Sequence, residues 1–134
     1  IKEFSNKKDN FYLIHCNDGM RGPGNKYGNV PPLAVNSFIH RDYVRLIGRY
    51  VEEEEPNTFH DTYLDKLFEI LNRKIYFHDI VIRHLHFSEY GNKDQTSIDM
   101  EKEREGIWDN NNLFEEKLMP VILKEAEIIK AKIS

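Results

Sequence analysis

Two segments of this chain carry side chains whose types and spacing could do chemistry. The first, Phe59-His60-Asp61-Thr62-Tyr63-Leu64-Asp65, puts a carboxylate at the mouth of an expected helix. There the positive end of the helix dipole favours the ionised form of Asp61, and an ionised, fixed carboxylate can take a proton from a hydroxyl nucleophile. The second, Asp79-Ile80-Val81-Ile82-Arg83-His84-Leu85-His86, ends an expected strand with two histidines one residue apart. On an extended strand such side chains leave the same face about 7 Å apart, so His84 and His86 could share a divalent ion through neutral ring nitrogens. Each feature also has a plain structural reading, as a helix-start aspartate and as hydrogen-bonded strand histidines. The functional reading requires the two segments to meet, with Asp61 facing His84 or His86 across a shared cleft.

A third segment, Asn17-Asp18-Gly19-Met20-Arg21-Gly22, follows directly on an apolar run. Its glycines let the backbone approach a ligand closely. Asp18, at a strand end, could hydrogen-bond a sugar or help hold a metal, or could simply finish a turn. No Gly-Lys-Ser/Thr closes the segment, so it is not a phosphate-cradling P-loop. Asp18, Gly19 and Arg21 are the candidate substrate-binding residues here, joined by His60, which could either cap its helix or reach a ligand. Asp65, one turn beyond Asp61, reads as a solvated residue or as an orienter of the site. Arg41 and Arg45 could supply charge for a phosphate, although a surface role is simpler.

The elements that must position these groups can be read from pattern. Phe11 to Cys16 is a β-forming apolar run, expected as a buried strand. Asn17 to Pro32 is a long loop, and loops of that length are commonly functional. Leu33 to Ile39 reads as a second extended piece. Arg41 to Ile47 reads as a short helix with Tyr43, Val44 and Ile47 on one face and Gly48 as its stop. Glu52 to Glu55 is a charge run in a solvated turn. Thr58 is a suitable cap for a helix over His60 to Asn72, whose Tyr63, Leu64, Leu67, Phe68 and Leu71 recur at helical spacing. Ile75 to Phe87 reads as a strand with Ile80, Ile82, His84 and His86 on one face. Ile98 to Glu105 is expected as a charged helix, and Leu113 to Ile133 as an amphipathic helix kinked at Pro120. This order is that of a mixed α/β domain.

Composition narrows the class. A chain of 134 residues with 40% hydrophobic and 12% aromatic residues can bury a core as one domain. Its 19 basic and 23 acidic residues, net charge −4, speak against a nucleic-acid binder. One cysteine, Cys16, cannot form an internal disulfide, and no apolar run reaches membrane-spanning length. The expectation is a cytoplasmic protein with no nucleic-acid partner and no transmembrane segment. The chain opens at Ile1 on residues typical of a connector, which suggests a piece of a longer protein.

In order, Asn17-Asp18-Gly19, then Phe38-Ile39-His40-Arg41-Asp42-Tyr43-Val44 with Leu46-Ile47-Gly48, then His60-Asp61-Thr62-Tyr63-Leu64, then Arg73 to His86, then Gly91-Asn92-Lys93-Asp94 form a series. That series resembles the C-terminal half of family-2-like glycosyltransferases of the GT-A fold, from about Asn10 to about Phe114. The resemblance implies a partial GT-A-like, Rossmann-like α/β fold with a C-terminal helical segment. It also implies a nucleotide-sugar donor, a carbohydrate or other hydroxyl acceptor, and a divalent manganese or magnesium ion. Asp61 matches the family's general base, His84 or His86 the metal-holding histidine, and Asp18 and Gly19 the turn beside the acceptor. The chain has no counterpart of the family's Asp-x-Asp motif or nucleotide-binding first half, which would lie upstream. His60-Asp61 also stands where many relatives carry an acidic pair. A non-catalytic sugar-binding or scaffolding remnant of the same fold is the alternative. His40, His60-Asp61 and His78-Asp79 superficially resemble the histidine-aspartate phosphohydrolases, but those domains are all-helical and the run from Ile75 to Ile82 is not.

Overall fold

The computed structural model describes residues 9–50, 60–83, 95, 98–99 and 114–134. Strand β1, Leu13–Asn17, lies at the centre of a three-stranded sheet. Strand β2, Ser37–Ile39, pairs antiparallel with β1, and strand β3, Lys74–Val81, pairs parallel with it. All five residues of β1 are buried, as expected of a strand covered on both faces. Leu13, His15 and Asn17 occupy one face, with Lys74 and Tyr76 beside them on β3.

Helix α1, Arg41–Ile47, follows β2 at once. His40 caps it, its Nδ1 accepting from the Asp42 N–H. Gly48 closes it at φ 88°, where its N–H donates to the Val44 carbonyl. Tyr43 is buried as the spacing predicts, whereas Val44 is 37% exposed. Helix α2, His60–Ile70, buries Tyr63, Leu64, Leu67 and Phe68, and turns through Asn72 (φ 52°) into β3. The turn is closed by the Arg73 N–H donating to the Phe68 carbonyl at 2.9 Å. The expected solvated turn at Glu52–Glu55 and the cap at Thr58 lie outside the described residues, as does most of the charged segment from Ile98 to Glu105.

At the C-terminus a single π-helical turn, Phe114–Leu118, leads into α3, Met119–Ile133. Pro120 therefore sits in the first turn of an α-helix, at its junction with the π-helical turn, rather than in the middle of a regular helix. The core gathers Leu13 and Phe11 with Tyr43 of α1, the α2 stripe, and Leu118, Ile122, Ala126 and Ile129. Fully burying one Leu or Ile contributes about 1.5–3 kcal/mol, so the α2–α3 seam is a principal source of stability.

Helix α3 also brings a charge inside. Glu125 is 3% exposed, and it accepts a hydrogen bond from Tyr43 Oη at 3.3 Å and one from Arg49 at 2.8 Å. Burial, followed by the Glu125 charge, raises the Tyr43 hydroxyl far above the ordinary tyrosine range. Tyr63 is raised the same way, by burial first and then by the nearby Glu125 carboxylate. None of the described helices is long and apolar enough to cross a membrane.

Candidate functional site

The C-terminal ends of β1 and β3 form the first part of the site. Asn17 organises it: its Oδ1 accepts from the Gly19 N–H at 2.9 Å and from Asn25 at 2.8 Å, while its amide donates to the His78 carbonyl at 3.2 Å. That last bond spans 61 residues and holds an irregularity in β3. Cys16 pairs with Phe77, but Asn17 pairs with Val81, so three residues, His78, Asp79 and Ile80, loop out of register. Because three is odd, the side-chain alternation inverts there. Val81, rather than Ile80, shares a face with Tyr76. The uninterrupted alternation read over Ile75 to Phe87 therefore stops at the bulge.

The next residue in the chain, Asp18, is 4% exposed and fully engaged. Its Oδ1 accepts from the Met20 and Arg21 N–H groups at 2.8 and 2.9 Å, and its Oδ2 meets the Arg21 guanidinium at 2.6 Å. Burial works against the charge, but the Arg21 and Met20 bonds outweigh it and hold the carboxyl below the usual aspartate range. Gly19 has φ 75°, and a Cβ there would meet the Arg83 side chain at 3.2 Å. Arg83 directly precedes His84 in sequence. Asp18, Gly19 and Arg21 thus form one unit beside the end of β3.

Asp61 and His60 form the second part, in the first turn of α2. Asp65 fixes the height of this helix over the sheet: it accepts from Lys74 Nζ at 3.0 Å and from the Ala34 N–H at 3.2 Å. Asp61 lies about one turn, ~6 Å of rise, earlier in α2 than Asp65. Asp65 is accordingly an orienting residue that anchors α2 and the chain near Ala34, not a solvated one. His84 and His86 lie outside the described residues. Among the described residues no three His, Cys, Asp or Glu side chains converge as a metal-binding group, and Asp18 has its oxygens committed to its own turn. The described residues alone do not make a metal centre.

A separate feature was missed by sequence reasoning. A groove of about 410 Å³ opens between the sheet and the C-terminal end of α2, with His15 and Tyr76 in its lining. Their rings lie 4.8 Å apart. His15 Nδ1 and Tyr76 Oη are both buried and have no hydrogen-bond partner. Burial lowers the His15 pKa, the nearby Asp65 opposing and Lys74 assisting, so the ring is neutral. The signal was present in the sequence: His15 is the polar residue in phase with Leu13 and Asn17 within an otherwise apolar run.

Comparison with protein-family models, with curated proteins and with solved structures finds no match for this chain.

Proposed function

We propose that this chain serves a family-2-like glycosyltransferase of the GT-A type, with Asp61 as general base toward a hydroxyl acceptor. Two observations support the reading: the parallel pair β1 and β3 leads into the Asp18–Gly19 turn, and Asp61 lies in the first turn of α2, the helix that Asp65 ties to Lys74 at the start of β3. Ligand sites in α/β proteins form at such strand ends. The loop between β1 and β2 supplies a bent, hydrogen-bonded rim, and the start of a helix is a favourable place for a carboxylate charge.

In the proposed step Asp61 takes the proton of the acceptor hydroxyl. The acceptor oxygen bonds to the anomeric carbon of the donor sugar. The bond from that carbon to the diphosphate oxygen breaks, and its electron pair leaves with the nucleoside diphosphate. His84 and His86 are the residues that would hold a divalent ion, and such an ion would supply positive charge to the departing diphosphate. Arg21 is a substrate-binding candidate because its side chain stays 30% exposed beside Asp18, and His60 through its place next to the base.

A second reading, a non-catalytic sugar-binding remnant, is favoured by the closure of Asp18 on its own turn. Titration of the chain with manganese and a panel of nucleotide sugars separates the two. Metal-dependent donor binding with donor hydrolysis supports the transferase. Sugar binding without any response to metal supports the remnant.

A further inference from the structure

We infer that the outer edge of β3 is a self-association surface, on which two copies of this chain pair antiparallel about a two-fold axis at Val81. The inference goes beyond the transferase reading and uses neither Asp61 nor a bound sugar.

Among the described residues the strand order β2-β1-β3 leaves β2 and β3 at the edges of the sheet. Strand β2 is three residues long, whereas β3 runs over eight, and a short edge offers little to pair with. Beyond the bulge, the orientation of β3 is fixed by its bonds. The Ile82 N–H donates to the Asn17 carbonyl at 2.8 Å, and the Ile82 carbonyl accepts from the Asn36 amide at 2.8 Å. Backbone groups of successive strand residues point to opposite sides, so Val81 and Arg83 turn theirs away from β1. Ile80 and Val81 are 50% and 53% exposed, an apolar edge of the kind that takes up a strand from another chain.

The sequence of this edge selects a second copy as the occupant. Asp79-Ile80-Val81-Ile82-Arg83 is complementary to its own reverse. Set antiparallel on itself, Asp79 faces Arg83 of the second copy, Ile80 faces Ile82, and Val81 faces Val81. Opposite charges and β-branched pairs set directly across from each other stabilise such a ladder. Within one copy the exposed Asp79 carboxylate meets the His78 ring at 3.3 Å rather than Arg83. In this register Val81 forms a hydrogen-bonded pair, each outward N–H donating to the Val81 carbonyl of the other copy. The bulge at His78–Ile80 ends regular pairing on one side. So short a contact falls below the ~1,200 Å² of a standard interface, which makes the dimer weak and reversible. Because the same patch is used on both copies, association closes at two instead of growing into a filament.

The experiment is sedimentation velocity of the full chain over a series of protein concentrations. Wild type should pass from monomer to dimer as concentration rises, with no larger species. Asp79→Arg or Arg83→Asp alone sets like charges across from each other twice and should weaken the dimer about tenfold. The double swap, Asp79→Arg with Arg83→Asp, should restore it. Hydrogen exchange gives a readout that needs no variant: the Val81 amide should exchange more slowly as wild-type concentration rises. A chain monomeric throughout, a double swap as weak as the single ones, species that keep growing beyond the dimer, or Val81 exchange independent of concentration would overturn the pairing.

Discussion

The Asp18 carboxylate holds the Arg21 guanidinium at 2.6 Å while accepting the backbone N–H groups of Met20 and Arg21. The turn that leaves β1 is thus locked by its own charges, and the backbone that would meet a ligand is set before any ligand arrives. The consequence is testable through pH. Asp18 has a folded pKa below its unfolded value, so its stabilisation is complete above about pH 4 and is lost as pH falls through the folded value. Asp18→Asn should cost about 1–2 kcal/mol at pH 7. In urea titrations the gap between wild type and variant should narrow below pH 4. A gap independent of pH would mean that the charge contributes nothing.

His15 gives a second step in the same profile. Its folded pKa lies below the unfolded value of about 6.5, chiefly through burial, with Asp65 and Asp18 opposing and Lys74 assisting. The unfolded chain therefore binds the extra proton, and stability should decline as pH falls below about 6.5. His15→Phe should remove that decline. Persistence of the decline in the variant would assign it to another group.

Gly19 and Gly48 share nearly the same left-handed backbone, φ 75° and 88°, but not the same surroundings. A Cβ at Gly48 meets nothing within 4 Å, whereas one at Gly19 presses on Arg83. Gly48→Ala should cost ~1 kcal/mol from conformation alone. Gly19→Ala should cost more, ~2 kcal/mol, because the end of β3 must also move. Equal losses in chemical denaturation would show that the Gly19–Arg83 approach carries no energy.

Glu125 depends on Arg49 across 76 residues of chain. Arg49→Ala leaves a buried carboxylate without its cation, and the expected loss is about 2–3 kcal/mol, below the range for fully buried pairs because Arg49 remains a third exposed. Arg49→Ala combined with Glu125→Gln should recover part of that loss. A double variant no more stable than the single one would refute the pairing as the cause.

These results also show which parts of the molecule can be read from sequence. Helix α1 is legible to the residue, because Gly48 marks its stop locally. The α2 stripe is equally plain, since Tyr63, Leu64, Leu67 and Phe68 repeat at helical spacing and all are buried. The bulge at His78–Ile80 is not legible. It is held from Asn17, far away in sequence, and the local pattern of β3 continues through it as though the strand were regular. Asp65 escapes for a similar reason: on its own helix it looks solvated, and only the return of the chain brings Lys74 to it. Asp61 stands out by its place in the first turn of α2, whereas the His15 groove requires three separate segments to come together before it exists.

The central claim concerns Asp61, and one assay addresses it most directly. Sugar transfer and donor affinity are measured for wild type and Asp61→Asn with manganese, nucleotide sugars and hydroxyl acceptors present. The account predicts that transfer falls by at least ~100-fold in Asp61→Asn while donor affinity stays nearly unchanged. Transfer retained at the wild-type rate in Asp61→Asn would contradict it.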